Sequence, residues 1–209
     1  MIVLDTFEQY SDEWWKNRLS VPTASQYGRV VTTTGKPSDS RVDYMYRLAV
    51  ERVTGEYAGS EYMSFAMKEG HKKEPEARAL FQMITGMKVS EAGMIFRDEQ
   101  RKYGASPDGL MDGAGLEIFC PESPNFVKCK FSPGSAVKYA GKYQQIQGSL
   151  LVSGFERWHF IVYYPGLKPV IQCIERDEPF LELLEKELDT FCLDLALTAK
   201  KLRELEMAA

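Results

Sequence analysis

Ser106-Pro107-Asp108-Gly109-Leu110, followed beyond an Asp112-Gly113 turn by Leu116-Glu117-Ile118-Phe119-Cys120-Pro121, is the stretch that decides the fold. Pro107-Asp108-Gly109 and Asp112-Gly113 are tight-turn sequences, and the residues around them read as paired strands. Pairing brings Asp108 and Glu117 together. Adjacent carboxylates repel, so the pair either costs energy or shifts a pKa upward unless a cation joins it. A hard divalent ion resolves the conflict, because magnesium takes oxygen ligands and needs only one or two carboxylates beside water and phosphate. Bound there, it could polarise a phosphodiester and generate hydroxide. The plain alternative for the same residues is a turn aspartate and a surface strand glutamate.

Working outward, the strand-like region spans Lys88 to Phe96, Tyr103 to Met111 and Gly115 to Cys120, spaced as neighbours in a meander. Upstream, Asp12 to Arg18 reads as a short helix, and Thr23-Ala24-Ser25 opens another helical stretch with a hydroxyl to cap it. Residues 32–39 read as an exposed loop. A helix from Arg41 to Val53 ends at Gly55. Glu61 to Thr85 is helical in pattern, with Pro75 placing Glu74 at a kink or a helix start. Downstream, a helix from Ser135 to Val152 precedes strands Trp158–Tyr163 and Val170–Glu175. The last helix, Glu178 to Glu206, carries Phe180, Leu183, Leu184, Leu188, Phe191 and Leu195 on one face. Helices, a central mostly antiparallel sheet, then helices again make an α/β sandwich.

Nothing in residues 1–209 marks a repeat or a linker, so one domain is expected. Hydrophobic residues form 44% and charged residues 27%, which argues against long disorder. No apolar run is long enough for a membrane span. Met1 to Tyr10 carries early acids and no basic flank before an apolar stretch, so a secretory signal is not expected and a cytoplasmic location is. Cys120, Cys129, Cys173 and Cys192 show no C-x-x-C pairing and read as scattered buried thiols. The net charge of −4 leaves room for a local basic groove, since the sum says little about its distribution.

The Asp108 and Glu117 segment resembles the P-D-x(n)-E-x-K signature of restriction-endonuclease-like nucleases. More closely, the chain is similar to the exonuclease family of bacteriophage lambda, the YqaJ viral recombinase family. Four blocks in order carry the resemblance: Trp14 with Arg18-Leu19 and Thr23-Ala24-Ser25; Gly70 with Glu74-Pro75 and Ala77-Arg78; the two acidic strands; and Gln145-Ile146-Gln147. It implies a restriction-endonuclease-like core, with a central mixed sheet flanked by helices. It implies a magnesium site, with manganese as an alternative, formed by Asp108, Glu117, the Ile118 carbonyl and Glu74. Arg18, Ser25, Ser106 and Gln147 match positions that hold a terminal 5′-phosphate. Lys72, Lys73, Lys128, Lys130, Lys138 and Lys142 are candidates for DNA backbone contacts. The implied activity is 5′-to-3′ digestion of one strand from double-stranded DNA ends. The implied assembly is a homotrimeric ring, whose product passes to a single-strand annealing recombination protein.

One departure matters. The family pattern has lysine two residues after the glutamate, and this chain has Phe119. Strand alternation puts residue 119 on the Glu117 face, towards the metal site. A benzyl group neither donates a proton nor balances anionic charge, and losing such a group costs about 10²–10⁴ in rate. The expectation is an impaired enzyme or a silent DNA-end-binding protein, unless Lys128 or Lys130 supplies the ammonium.

Overall fold

The computed structural model describes residues 1–58 and 65–208. Its central sheet has four strands in the order β4-β5-β6-β7. β4 (Gly109–Met111) and β5 (Ala114–Phe119) are antiparallel and joined by the two residues Asp112-Gly113. Gly113 has φ +69°, the left-handed conformation that tight hairpin turns demand. β6 (Arg157–Val162) runs parallel to β5, and β7 (Val170–Glu175) returns antiparallel to β6. A parallel neighbour needs a long crossover. Here it is made by α4 (Ser123–Phe131), α5 (Ala136–Tyr139) and α6 (Tyr143–Ser153). The sheet is therefore mixed.

Helices cover both faces. Leu116, Ile118 and Ile161 pack against Ala77 and Phe81 of α3 (Phe65–Thr85). Phe160 and Val162 point the other way, into a core shared with α6, α2 (Arg41–Thr54) and α7 (Glu178–Met207). The buried stripe of α7 is Phe180, Leu181, Leu184, Leu188, Phe191, Leu195 and Ala199. Each large member contributes about 1.5–3 kcal/mol on burial. Leu183 lies off this stripe and is 45% exposed, contrary to its expected place on the apolar face.

Several boundaries differ from the sequence reading, each for a local reason. The expected Tyr103–Met111 strand is two strands in two sheets. β3 (Gly104–Ala105) joins β2 (Met94–Phe96) and β1 (Ile2–Leu4) in a separate antiparallel sheet, while β4 belongs to the central one. Pro107 stands between them and has no N–H to continue a ladder. The expected Ser135–Val152 helix breaks at Gly141, where φ is +68°. Helix α4 was not expected. Ala24–Arg29 is a 3₁₀ turn, and the Thr23 side chain does not cap it. α3 runs unbroken through Pro75, so Glu74 is not a helix start. The expected start at Glu61 lies outside the described residues. Among the described residues no helix is long and apolar enough to cross a membrane. All four cysteines are free, but only Cys129 is buried and Cys173 is exposed.

Candidate active site

Asp108 sits one residue before β4, its N–H donating to the Leu116 carbonyl at 3.1 Å. Its Oδ2 accepts from the Ile118 N–H at 2.6 Å. Arg78 of α3 steadies the same turn, donating from Nε to the Asp108 carbonyl at 3.1 Å. N–H and C=O of one strand residue face the same side. The Ile118 carbonyl is therefore turned towards Asp108, past the end of β4, while the carbonyl of Phe119 accepts from Tyr163 of the β6 side at 2.9 Å. Glu117 is 2% exposed, and its Oε1 accepts from Lys142 Nζ at 2.9 Å and Gln145 Nε2 at 2.7 Å.

Glu74 enters from α3. A side chain at Gly70 would meet the Cys120 carbonyl at 3.3 Å, so glycine there lets the helix lie close to the end of β5, one turn before Glu74. Glu74 Oε2 is 2.8 Å from His71 Nδ1. Burial pushes the Asp108 carboxyl well above its ordinary range, and the charges of Glu117 and Glu74 push it further. Burial likewise raises Glu74, with His71 opposing and Glu117 adding. The three acids share one electrostatic neighbourhood.

Oxygen donors of this kind suit magnesium. As the side chains stand, however, no three His, Cys, Asp or Glu groups among the described residues lie close enough to hold one ion. The reason is topological. Glu117 projects to the α6 face, where Lys142 and Gln145 hold it, whereas Glu74 comes from the α3 face. Asp108 and the Ile118 carbonyl occupy the sheet edge between them. Asp108, Glu117 and that carbonyl are hard oxygen donors, the chemistry that magnesium takes, although Glu117 is buried and held by Lys142 and Gln145. Glu74 borders a cleft of about 690 Å³ with Asp108, and one of about 360 Å³ with Ile118, Phe119 and Lys142. A roomier cleft of about 750 Å³, around Met87, Leu110 and Arg157, contains none of these acids and is not the site.

Phe119 does line the site, as alternation requires, and its ring also packs on Phe160 with centroids 6.4 Å apart. Neither Lys128 nor Lys130 borders either of the two acidic clefts. Both are exposed, and Lys130 Nζ donates instead to the Lys168 carbonyl at 2.8 Å. The ammonium on Glu117 belongs to Lys142, while Lys72 lines the cleft of Glu74 and Asp108. Burial alone would lower the pKa of Lys142, but Glu117 and Asp108 raise it above the ordinary lysine value. Lys72 pairs with Glu69, and Lys138 is exposed.

The expected anion pocket assembles in part. Arg18, at the end of α1 (Asp12–Arg18), donates to Ser106 Oγ at 3.1 Å, Thr23 Oγ1 at 3.0 Å and Ser25 Oγ at 3.5 Å. Its guanidinium lies 4.2 Å from the Trp14 ring centre, and Trp14 Nε1 also donates to Ser106 Oγ at 3.1 Å. Gln147 is not in this pocket. It is 1% exposed; its Nε2 donates to the Glu175 carbonyl at 2.8 Å and its Oε1 accepts from the Asp177 N–H at 3.0 Å. Both ends of the amide tie α6 to the β7–α7 junction, so it is a packed residue. Beyond the site residues expected from sequence, Gln145 and His71 stand at the acids and Thr23 at Arg18, and Tyr10 joins them. Tyr10 has φ +68° and lies against His71 with centroids 4.4 Å apart. Burial, and then Glu74 and Asp108, push its phenol up to about 12.

A mixed sheet with paired acids at the open end of one hairpin, flanked by helices on both faces, is the restriction-endonuclease-like arrangement. The model of the YqaJ-like viral recombinase domain matches residues 13–156, and this chain belongs to that family. The alkaline exonuclease LHK-Exo of Laribacter hongkongensis is 30% identical and superposes with a TM-score of 0.82, over 95% of this chain and 100% of that one. A structure of LHK-Exo in complex with dAMP gives a TM-score of 0.83 at 30% identity over the same shares. A phage-related exonuclease from Haemophilus somnus 129PT shares the fold at a TM-score of 0.61 and 13% identity, over 98% of this chain and 97% of that one. Among curated proteins no sequence matches.

Proposed function

We propose that this chain is a metal-dependent exonuclease that digests one strand of double-stranded DNA from its 5′ end. The observation that carries this reading is the continuity of two sites along three residues. Ser106 closes the Arg18 pocket, and Asp108 opens the acidic site. A terminal phosphate seated on Arg18 would be held by charge-assisted hydrogen bonds, with the Thr23 and Ser25 hydroxyls alongside. The Trp14 ring lies against the guanidinium, 4.2 Å from its central carbon. An end anchored there presents the neighbouring phosphodiester to Asp108 and Glu117.

Magnesium, or manganese in its place, would be held by Asp108, Glu117 and the Ile118 carbonyl with Glu74 alongside; it supplies positive charge to the phosphate oxygens and lowers the pKa of bound water. By family resemblance the working form is a homotrimer enclosing duplex DNA, leaving single strands for an annealing recombination protein. Phe119 favours a second reading, a silent protein that grips 5′-phosphorylated ends without cutting. Release of nucleotides from 5′-phosphorylated linear duplex, with and without magnesium, tests the first reading. Tight end binding with no release from this chain, but release from Phe119→Lys, selects the second. Light scattering on the eluting protein tests the trimer.

A further inference from the structure

Lys142 is fixed at both sides of its backbone, its N–H donating to Val137 and its carbonyl accepting from Ile146, each at 3.0 Å. From this anchor its side chain crosses to β5, reaching Glu117 Oε1 at 2.9 Å and Gln145 Oε1 at 3.0 Å. The ammonium lies 5.9 Å from the centre of the Phe119 ring. An ammonium has three protons. Two are used on these partners, and among the described residues the third has none. The carboxylate partner is closed off, with 3% of its side chain exposed, but the lysine is 25% exposed and borders the cleft shared with Glu74 and Ile118.

We propose that Lys142 is a catalytic residue of this site, supplying from the cap of α6 the ammonium that β5 lacks at position 119. The proposal rests on the nuclease reading. In hydrolysis a water oxygen bonds to phosphorus and the P–O3′ bond breaks, its electron pair leaving on O3′. The water's proton passes to O3′ or to solvent. Negative charge grows on the phosphate oxygens meanwhile, and a cation fixed beside Glu117 stabilises it without having to reorganise. The Phe119 ring fills the strand side of the space, its centre 5.9 Å from the ammonium. A lysine at 119 and one at 142 would compete for the same volume, so either can serve and both are redundant.

The test compares the full chain with Lys142→Ala, Phe119→Lys and the double variant on 5′-phosphorylated linear duplex in magnesium. Calorimetry with manganese and anisotropy of a labelled duplex end in calcium accompany the rates. The native chain is expected to digest DNA, and Phe119→Lys to change its rate less than about tenfold. Lys142→Ala should be at least about 10²-fold slower. Phe119→Lys in the Lys142→Ala background should recover most of that loss. Manganese binding by Lys142→Ala should be equal or tighter, because a competing cation has left Glu117. A lysine that merely props Glu117 would instead weaken metal binding when removed. Near-native rates for Lys142→Ala overturn the proposal and leave the nuclease reading intact. So does a native chain that is silent until Phe119→Lys is introduced. No cleavage by any variant, Phe119→Lys included, sinks the nuclease reading and this proposal with it.

Discussion

The Arg18 guanidinium donates to Ser106 Oγ at 3.1 Å across 88 residues of chain. The fork is satisfied by the hydroxyls of Ser106, Thr23 and Ser25, which are free to rotate towards a phosphate. Arg18→Ala is expected to reduce the preference for 5′-phosphorylated over 5′-hydroxyl ends by about 10- to 10²-fold, since hydrogen bonds to charged groups are worth about 1.5–3 kcal/mol. Ser25→Ala, which removes one neutral partner, should have a smaller effect. The ratio of kcat/KM on the two substrates measures both. An unchanged ratio for Arg18→Ala would place the pocket elsewhere.

Burial, and then the charges of Glu117 and Glu74 beside it, hold the Asp108 carboxyl well above the ordinary range. Asp108→Asn keeps an acceptor for the Ile118 N–H and removes one negative charge from beside Glu117 and Glu74. The metal-free variant should melt higher than the native chain; each 1 kcal/mol gained raises Tm by roughly 2–4 °C at this size. It should also lose most of the thermal stabilisation by manganese and at least about 10²-fold in rate. Calorimetric melts with and without manganese check the first two. A lower Tm without metal would mean the aspartate carries the turn.

The acidic pair and the basic-serine pocket were legible because their signals are local. Pro-Asp-Gly and Asp-Gly fix two turns, and alternation then assigns faces. The failures came where a helix decides. Gln145 and Gln147 are two residues apart, about 200° around a helix, so one faces β5 and the other must face away. Lys142 lies three residues before Gln145 and shares its side. That spacing was readable, but choosing the Gln145 face needed the crossover from β5 through α4 and α5. Likewise β3 and β4 read as one strand, because nothing local says that Pro107 divides two sheets.

His159 predicts a dependence on pH. It is 8% exposed on β6, 5.5 Å from Phe81 between ring centres. Burial lowers its pKa below 6.5, and Arg157 lowers it further. The unfolded chain therefore binds more protons between the folded value and about 6.5. The stability tied to this group is fully present above that range and is lost as pH falls through it. Urea midpoints at several pH values should decline from neutral to mildly acidic, and His159→Phe should flatten that part of the curve. A slope unchanged by the substitution would assign the decline to another group.

Gln147 separates packing from recognition. Its amide satisfies one carbonyl and one N–H at the β7–α7 junction, contacts that no phosphate could share without breaking them. Gln147→Ala removes both partners and opens a void beneath the start of α7. The cost should be about 1–3 kcal/mol, the usual penalty for partly buried groups left unpaired, and the melting temperature should drop by several degrees. The preference for 5′-phosphorylated ends should stay as in the native chain at temperatures where the variant is folded. Denaturant unfolding beside end-preference assays would show both. A stable Gln147→Ala that no longer distinguishes 5′-phosphate from 5′-hydroxyl would return the glutamine to the phosphate pocket. The hydrogen bonds seen here would then be a resting arrangement that DNA displaces.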